Sequence, residues 1–284
     1  MIHRPSTARW VRRATASALA AAAGVTLGGC APARAGDALP PAPVAATDAP
    51  STDAHASAAA AVLKQVEAAA TDHRTLTARV RMRSIQDLLD DETTRFGDLA
   101  WRRACDDTPA CFAVHFDRLK PLDGALEAID RRYIYDGHWL LDLDGRARTA
   151  ARRELNTGND GGELSLGDGP FLLPMNLKAQ RVLATFDAAL AAPDERTDPE
   201  GEPTDHLVLT PKPQAGVDAA QLDLWFDQAT RLPRRVVSEQ ADGDRTVVDL
   251  FEVQVNPKLP DDRFDTALPD TPGWELQTVP AENR

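Results

Sequence analysis

From Leu76 to Val255 apolar residues fall on alternate positions in one run after another, and turn residues separate the runs. Leu76, Ala78, Val80 and Met82 alternate with Thr77, Arg79, Arg81 and Arg83, a half-buried strand with one apolar and one cationic face. Asp90-Asp91 marks the next turn, after which Thr93 to Ala104 carries Phe96, Leu99 and Trp101. Phe112, Val114 and Phe116 repeat the alternation. Leu126 to Asp136 and His138 to Asp142 are joined at Asp136-Gly137, and Asp144-Gly145 leads into Arg146 to Leu155. Such Asp-Gly pairs are hairpin signals. A further strand, Asp205 to Thr210, precedes a three-stranded meander. Its runs hold Leu222, Leu224 and Phe226, then Arg234 to Gln240, then Val247 to Val255, with breaks at Leu232-Pro233 and Asp242-Gly243-Asp244 and a stop at Asn256-Pro257.

Two stretches follow a helical period instead. Ser57 caps a predicted helix from Ala58 to Ala70, with Val62, Leu63 and Val66 on one stripe, and Asn176 to Leu190 places Leu177, Val182, Leu183 and Phe186 near one face. Residues 193–204 read as an acidic loop, and Trp274 as the anchor of a Pro-rich tail after Asp265. The pattern predicts a mainly β (α+β) fold of about ten antiparallel strands, for which period alone allows either a barrel or a sandwich. In 284 residues, 43% apolar content supplies one core, and 21 prolines with 17 glycines favour many turns over long helices.

The amino terminus stands apart. Arg4, Arg9, Arg12 and Arg13 precede an alanine-rich apolar run, Ala14 to Leu27, too short to span a bilayer permanently, and this reads as a secretory leader over residues 1–29. Leu27-Gly28-Gly29-Cys30 resembles the lipobox of bacterial lipoproteins. That resemblance implies a diacylated Cys30, and Ala31 in place of Asp implies outer-membrane residence. A buried cysteine behind an ordinary leader is the alternative. Residues 30–56 are rich in Ala, Pro and Asp with no aromatic residue, a disordered tether with a reach of roughly 30 Å, and residues 57–284 form the domain. Cys105 and Cys111 flank the short DDTPA loop between two β-runs, as a cross-strand disulfide of an oxidising compartment would; a metal site there lacks nearby His ligands.

Net charge is −12, and loss of the four leader arginines leaves −16. A surface this acidic argues against nucleic acid and against electrostatic docking on anionic lipid. The six histidines, at positions 3, 55, 73, 115, 138 and 206, lie far apart, and no HExxH, GxSxG, CxxC or Walker spacing occurs. Asp142, Asp144 and Gly145 match part of a calcium loop, but Leu140 and Ala151 occupy its first and twelfth positions. No enzymatic activity, metal or cofactor is expected.

The meander has a distinctive phrasing: Asp227 near a strand end, then Leu232-Pro233, a charged strand, Gly243, and Asn256-Pro257 followed by Leu259, Asp262 and Phe264. Upstream, Tyr135-Asp136-Gly137 leads a strand opened by Trp139, and a GDGP loop at 167–170 precedes the helix ending at Phe186. In this order the motifs resemble the lipoprotein-sorting LolA/LolB-like family, nearer its carrier subgroup. The resemblance implies a strongly curved antiparallel half-barrel wrapped around helices, with an apolar cavity that holds acyl chains of lipoproteins or related lipids. The lining is expected from Leu76, Val80, Met82, Trp101, Phe112, Val114, Phe116, Trp139, Leu141, Leu222, Leu224 and Phe226, with Leu177 and Phe186 from the helix. Each is also what an ordinary core residue looks like. The implied role is lipoprotein sorting by a lipid-anchored envelope protein facing the periplasm; the alternative is a sensor or scaffold using the same fold to bind a protein.

Overall fold

The computed structural model describes residues 52–104, 109–155, 174–175, 177–192 and 201–280. Helix α1 (Thr52–Ala70) opens the described chain, followed by β1 (Thr75–Gln86), β2 (Asp91–Arg102), β3 (Cys111–Pro121), β4 (Glu127–Tyr135), β5 (Trp139–Asp144) and β6 (Thr149–Glu154). Then come helix α2 (Ala179–Thr185), β7 (Phe186–Leu190), β8 (Thr204–Pro211), β9 (Ala219–Asp227), β10 (Pro233–Gln240), β11 (Arg245–Val255) and β12 (Glu275–Val279). All the strands join one open, curved sheet in the order β12-β6-β5-β4-β3-β2-β1-β11-β10-β9-β8-β7.

The strand number exceeds the expected ten by β7 and β12, which form the two edges. The predicted helix to Leu190 is corrected accordingly: α2 ends at Thr185 and Phe186–Leu190 is a strand. Phe186, Ala188 and Leu190 are buried and suit a period of two, and pairing with β8 satisfies backbone groups that a longer helix would leave unpaired there. At the other edge β12 pairs parallel with β6, whereas every other pairing is antiparallel, so the tail contributes a strand as well as an anchor. Both edge strands span only 5 residues, which limits pairing with other chains. Helix α1 starts at Thr52 rather than Ala58. Cys30, most of the tether, Cys105, the GDGP loop and the acidic stretch at 193–200 lie outside the described residues.

Registered partners define one inner face. Leu224 on β9 opposes Val236 on β10, which opposes Val248 on β11, which opposes Met82 on β1. Across the β1/β2/β3/β4 ladders the same face continues through Leu76, Trp101, Phe112 and Tyr135. Its β7–β10 half packs against Ala59, Val62, Leu63 and Val66 of α1 and Val182 of α2. The outer face has smaller clusters: Phe264 covers Ala100, Cys111 and Ala113, and Leu268 with Trp274 covers Leu141, Leu143 and Ala150.

Register shifts interrupt several ladders, and bulges of this kind bend a sheet. At Gly97 a Cβ would lie 2.0 Å from the carbonyl oxygen of His115 on β3, so β2 can approach β3 there only through glycine. On β3 the shift falls between Phe116 and Arg118 and exchanges parity: Phe112, Val114 and Phe116 face inward, and beyond the shift it is Leu119, opposite Arg95, that does so.

Candidate functional site: the apolar inner face and its polar rim

The expected lining divides into three groups. Leu177, Phe186, Leu222, Leu224 and Phe226 join one cluster beneath α1 and α2. Leu63, Leu222, Leu224 and Phe226 are each at 0% exposure there, packed under the helices. Leu76, Val80, Met82, Trp101, Phe112, Val114 and Phe116 join a second cluster on the β1–β5 half, with Tyr135, Leu140 and Met175. The Phe112 and Tyr135 rings lie 5.7 Å apart, and Phe116 meets Tyr133 edge-on at 6.4 Å.

Trp139 and Leu141 require correction: they face outward. Tyr135 pairs with Leu140, so Leu140 is the inward residue of β5, and Leu141 packs beneath Leu268 and Trp274 of the tail. Trp139 lies under the guanidinium of Arg152 at 4.4 Å and edge-on to His138. The strand reads Trp-Leu-Leu-Asp-Leu-Asp, and both its faces begin with large apolar residues, so alternation leaves the inward set ambiguous.

Beyond Leu140 the inner face turns polar. Arg131 donates from Nη2 to Asp142 (2.8 Å), from Nη1 to Asp144 (3.3 Å) and from Nε to the Tyr133 hydroxyl (3.1 Å). Burial raises the Asp142 carboxyl above its usual range, against the opposing pull of Arg131 and Arg153. Where this network meets the apolar cluster there is a pocket of about 480 Å³, lined by Arg95, Leu119, Glu127, Ile129, Asp130, Arg131, Tyr133, Asp144, Arg146 and Ala147. Ile129 and Tyr133 also pack against the apolar cluster, so pocket and cluster share a wall. Sequence reasoning missed this rim. The one signal within reach was the density of Arg and Asp over β4–β6, which reads equally well as a solvated face.

A second pocket, of about 610 Å³, lies at the carboxyl end of α1 between Thr71, Asp72, Arg74, Thr75, Arg103 and Asn256. It is a brace. Asn256, at φ 57°, accepts from the Arg74 N–H (2.7 Å) and donates to the Asp72 carbonyl (3.0 Å), while Arg103 donates to the Ala70 carbonyl (3.1 Å). That is the physical use of the Asn-Pro motif.

On the outer face His206 Nε2 lies 2.8 Å from Asp223, with Gln221 Nε2 donating to the same carboxylate at 2.7 Å and Trp225 stacked on the imidazole at 3.9 Å. Nearby, Asp249 is gripped by Arg81 (2.9 Å) and Arg235 (2.5 Å). Among the described residues no group of three or more His, Cys, Asp or Glu side chains is placed to hold a metal ion. Cys111 is buried beside Arg102 and Phe264 on this face, while its expected partner Cys105 lies outside the described residues.

Among the described residues an open sheet of twelve strands, two helices on its inner face at one end, and the meander's Asp227, Leu232-Pro233 and Asn256-Pro257 at its turns together match the architecture that the motifs implied. The architecture resembles the curved half-barrel of the LolA/LolB-like family. No protein-family model matches the chain, and no curated protein matches it by sequence. Among solved structures the chain is similar to an uncharacterized conserved protein from Thermus thermophilus (14% identity, 79% of this chain and 99% of that one, TM-score 0.45). It is similar also to a LolA superfamily protein from Nitrosomonas europaea (14% identity, 73% and 97%, TM-score 0.34). A third is the Pseudomonas aeruginosa MucA/MucB complex (16% identity, 73% and 61%, TM-score 0.39). No described helix is long and apolar enough to cross a membrane.

Proposed function

We propose that this LolA/LolB-like chain is a lipid-anchored envelope protein that binds acyl chains of lipoproteins or related lipids and acts in their sorting, without catalysis. The observation that carries the reading is the β1–β5 half of the inner face, where an apolar cluster ends against a pocket of about 480 Å³ that shares Ile129 and Tyr133 with it. The physical need is large. At about 0.8 kcal/mol per methylene, a chain of about fourteen methylenes exposed to water costs on the order of 11 kcal/mol. A protein that moves such a chain through the envelope must cover it. The leader, Cys30 and the tether up to the start of α1 supply the anchor in this reading, in which the domain faces the periplasm, held at the outer membrane.

The test is mass spectrometry under native conditions on full-length protein carrying Cys30→Ser, purified from envelope extract. One acyl-bearing ligand per chain is expected. Recovery of empty protein that also fails to bind a fluorescent fatty acid overturns the proposal.

A second reading, a sensor or scaffold for a protein partner, is favoured by one end of the sheet. There the β1/β2 turn exposes Leu88 (88%) and Leu89 (68%), and the neighbouring β3/β4 turn exposes Leu122 and Leu126, amid Asp87, Asp90, Asp91 and Asp123. Apolar side chains ringed by acids suit a partner with basic and apolar residues. Photocrosslinking from position 88 to one dominant unacylated protein would support it.

A further inference from the structure

We propose that the pocket at the rim of the inner face is a subsite for an oxyanion carried on an alkyl chain, phosphate or carboxylate, with Arg95 as its charge partner. This rests on the acyl-binding reading and specifies its ligand. Arg95 on β2 opposes Met82 of the apolar cluster on one side and Leu119 on the other, and it lines the pocket together with Leu119, so its stem has apolar neighbours while its charge belongs to the pocket wall.

The neighbouring charges are already answered. Arg131 is held by Asp142 and Asp144, Arg146 by Glu127 (3.4 Å) and the Ala128 carbonyl (2.9 Å), and Asp130 by Arg132 and His115. Among the described residues no carboxylate lies within ion-pair reach of Arg95, although its side chain is half-buried. A partly desolvated guanidinium without a partner gains most from an anion, and its planar fork suits the two oxygens of a carboxylate or phosphate.

The walls specify the rest of the ligand. Leu119 and Ile129 offer nothing to a free inorganic anion, whereas they cover the first methylenes of a chain running toward Phe116 and Met82. Tyr133 fixes the boundary: its ring packs against the apolar cluster while its hydroxyl is held by Arg131 at 3.1 Å. A volume of about 480 Å³ lies within the usual range for small-molecule sites, roughly 300–1,000 Å³.

Calorimetric titration of the full chain with three probes tests this, each amphiphile kept below its micellar concentration: dodecyl phosphate, the neutral 1-monolauroylglycerol of equal chain length, and inorganic phosphate. Dodecyl phosphate is expected to bind at least about tenfold more tightly than the neutral amphiphile, as one charge-assisted contact allows. Arg95→Gln is expected to bring it down to the neutral value and Arg95→Lys to restore part of the difference. The urea midpoint of Arg95→Gln checks folding, since Arg95 has no ion-pair partner among the described residues and Gln keeps part of the stem that lies between Met82 and Leu119. Equal binding of the two amphiphiles overturns the subsite and leaves acyl binding standing; binding of neither overturns both. Inorganic phosphate binding as tightly as dodecyl phosphate overturns the alkyl-chain assignment.

Discussion

The carboxylate of Asp227 accepts from the N–H groups of Ala229 (3.0 Å) and Thr230 (2.7 Å) and from the Thr230 hydroxyl (2.8 Å), closing the turn between β9 and β10. Partial burial pushes its pKa up, but these bonds and Arg234 prevail and hold it below the usual carboxylate value. A carboxyl depressed in the folded state stabilises the fold above its unfolded pKa of about 3.9, and that contribution is lost as pH falls through the lower folded value. Asp227→Asn keeps an acceptor and removes the charge. Urea midpoints are expected to show the variant less stable at pH 7, by about 1 kcal/mol or less, with the deficit closing below about pH 4. Asp227 was legible in the sequence because a short polar side chain that caps its own turn leaves a local mark; Asn256 was legible only as the strand stop before Pro257, since its bonds run to Asp72 and Arg74. Arg95 was not legible, since what distinguishes it is that the carboxylates lining the same pocket, Glu127, Asp130 and Asp144, are paired with other cations among the described residues.

At the scale of elements, alternation identified the ten inner strands and failed where something outside the strand decides its role. Phe186–Leu190 suits either period until β8 is beside it, and β12 has exposed residues over most of its length, so neither edge announced itself. Leu119 was hidden because the register shift on β3 changes which residues face inward. Gly97 makes that local geometry possible. Gly97→Ala would press a methyl group onto the His115 carbonyl, a backbone group on a central strand that cannot swing aside. We expect a loss of about 1–3 kcal/mol in urea unfolding, together with weakened binding at the rim because Arg95 and Leu119 lie just beyond the shift. Wild-type stability with unchanged binding would show that the β2/β3 approach is not under constraint.

Across the whole sheet, polarity changes sides. From β8 to β4 the inner face is mostly apolar, with Arg95 and Arg131 only at its rim, and the outer face bears the Arg81–Asp249–Arg235 ion pairs; at β5 and β6 the inner face carries Asp142 and Asp144, and the apolar set Leu141, Leu143 and Ala150 faces outward. The carboxyl-terminal segment makes this inversion tolerable by laying Leu268 and Trp274 on the outward leucines and adding β12 beside β6. A chain ending at Asp265 would keep Phe264 and the whole inner face but uncover that patch and leave β6 an unprotected edge. It is therefore expected to lose about 2–5 kcal/mol of stability and to self-associate on warming, measured by urea unfolding and light scattering. Because Leu141 and Leu143 belong to a cluster separate from the inner-face one, the folded fraction should still bind dodecyl phosphate. If truncation abolished binding while leaving stability intact, the tail would be part of the ligand site, and assignment of that site to the inner rim would be wrong.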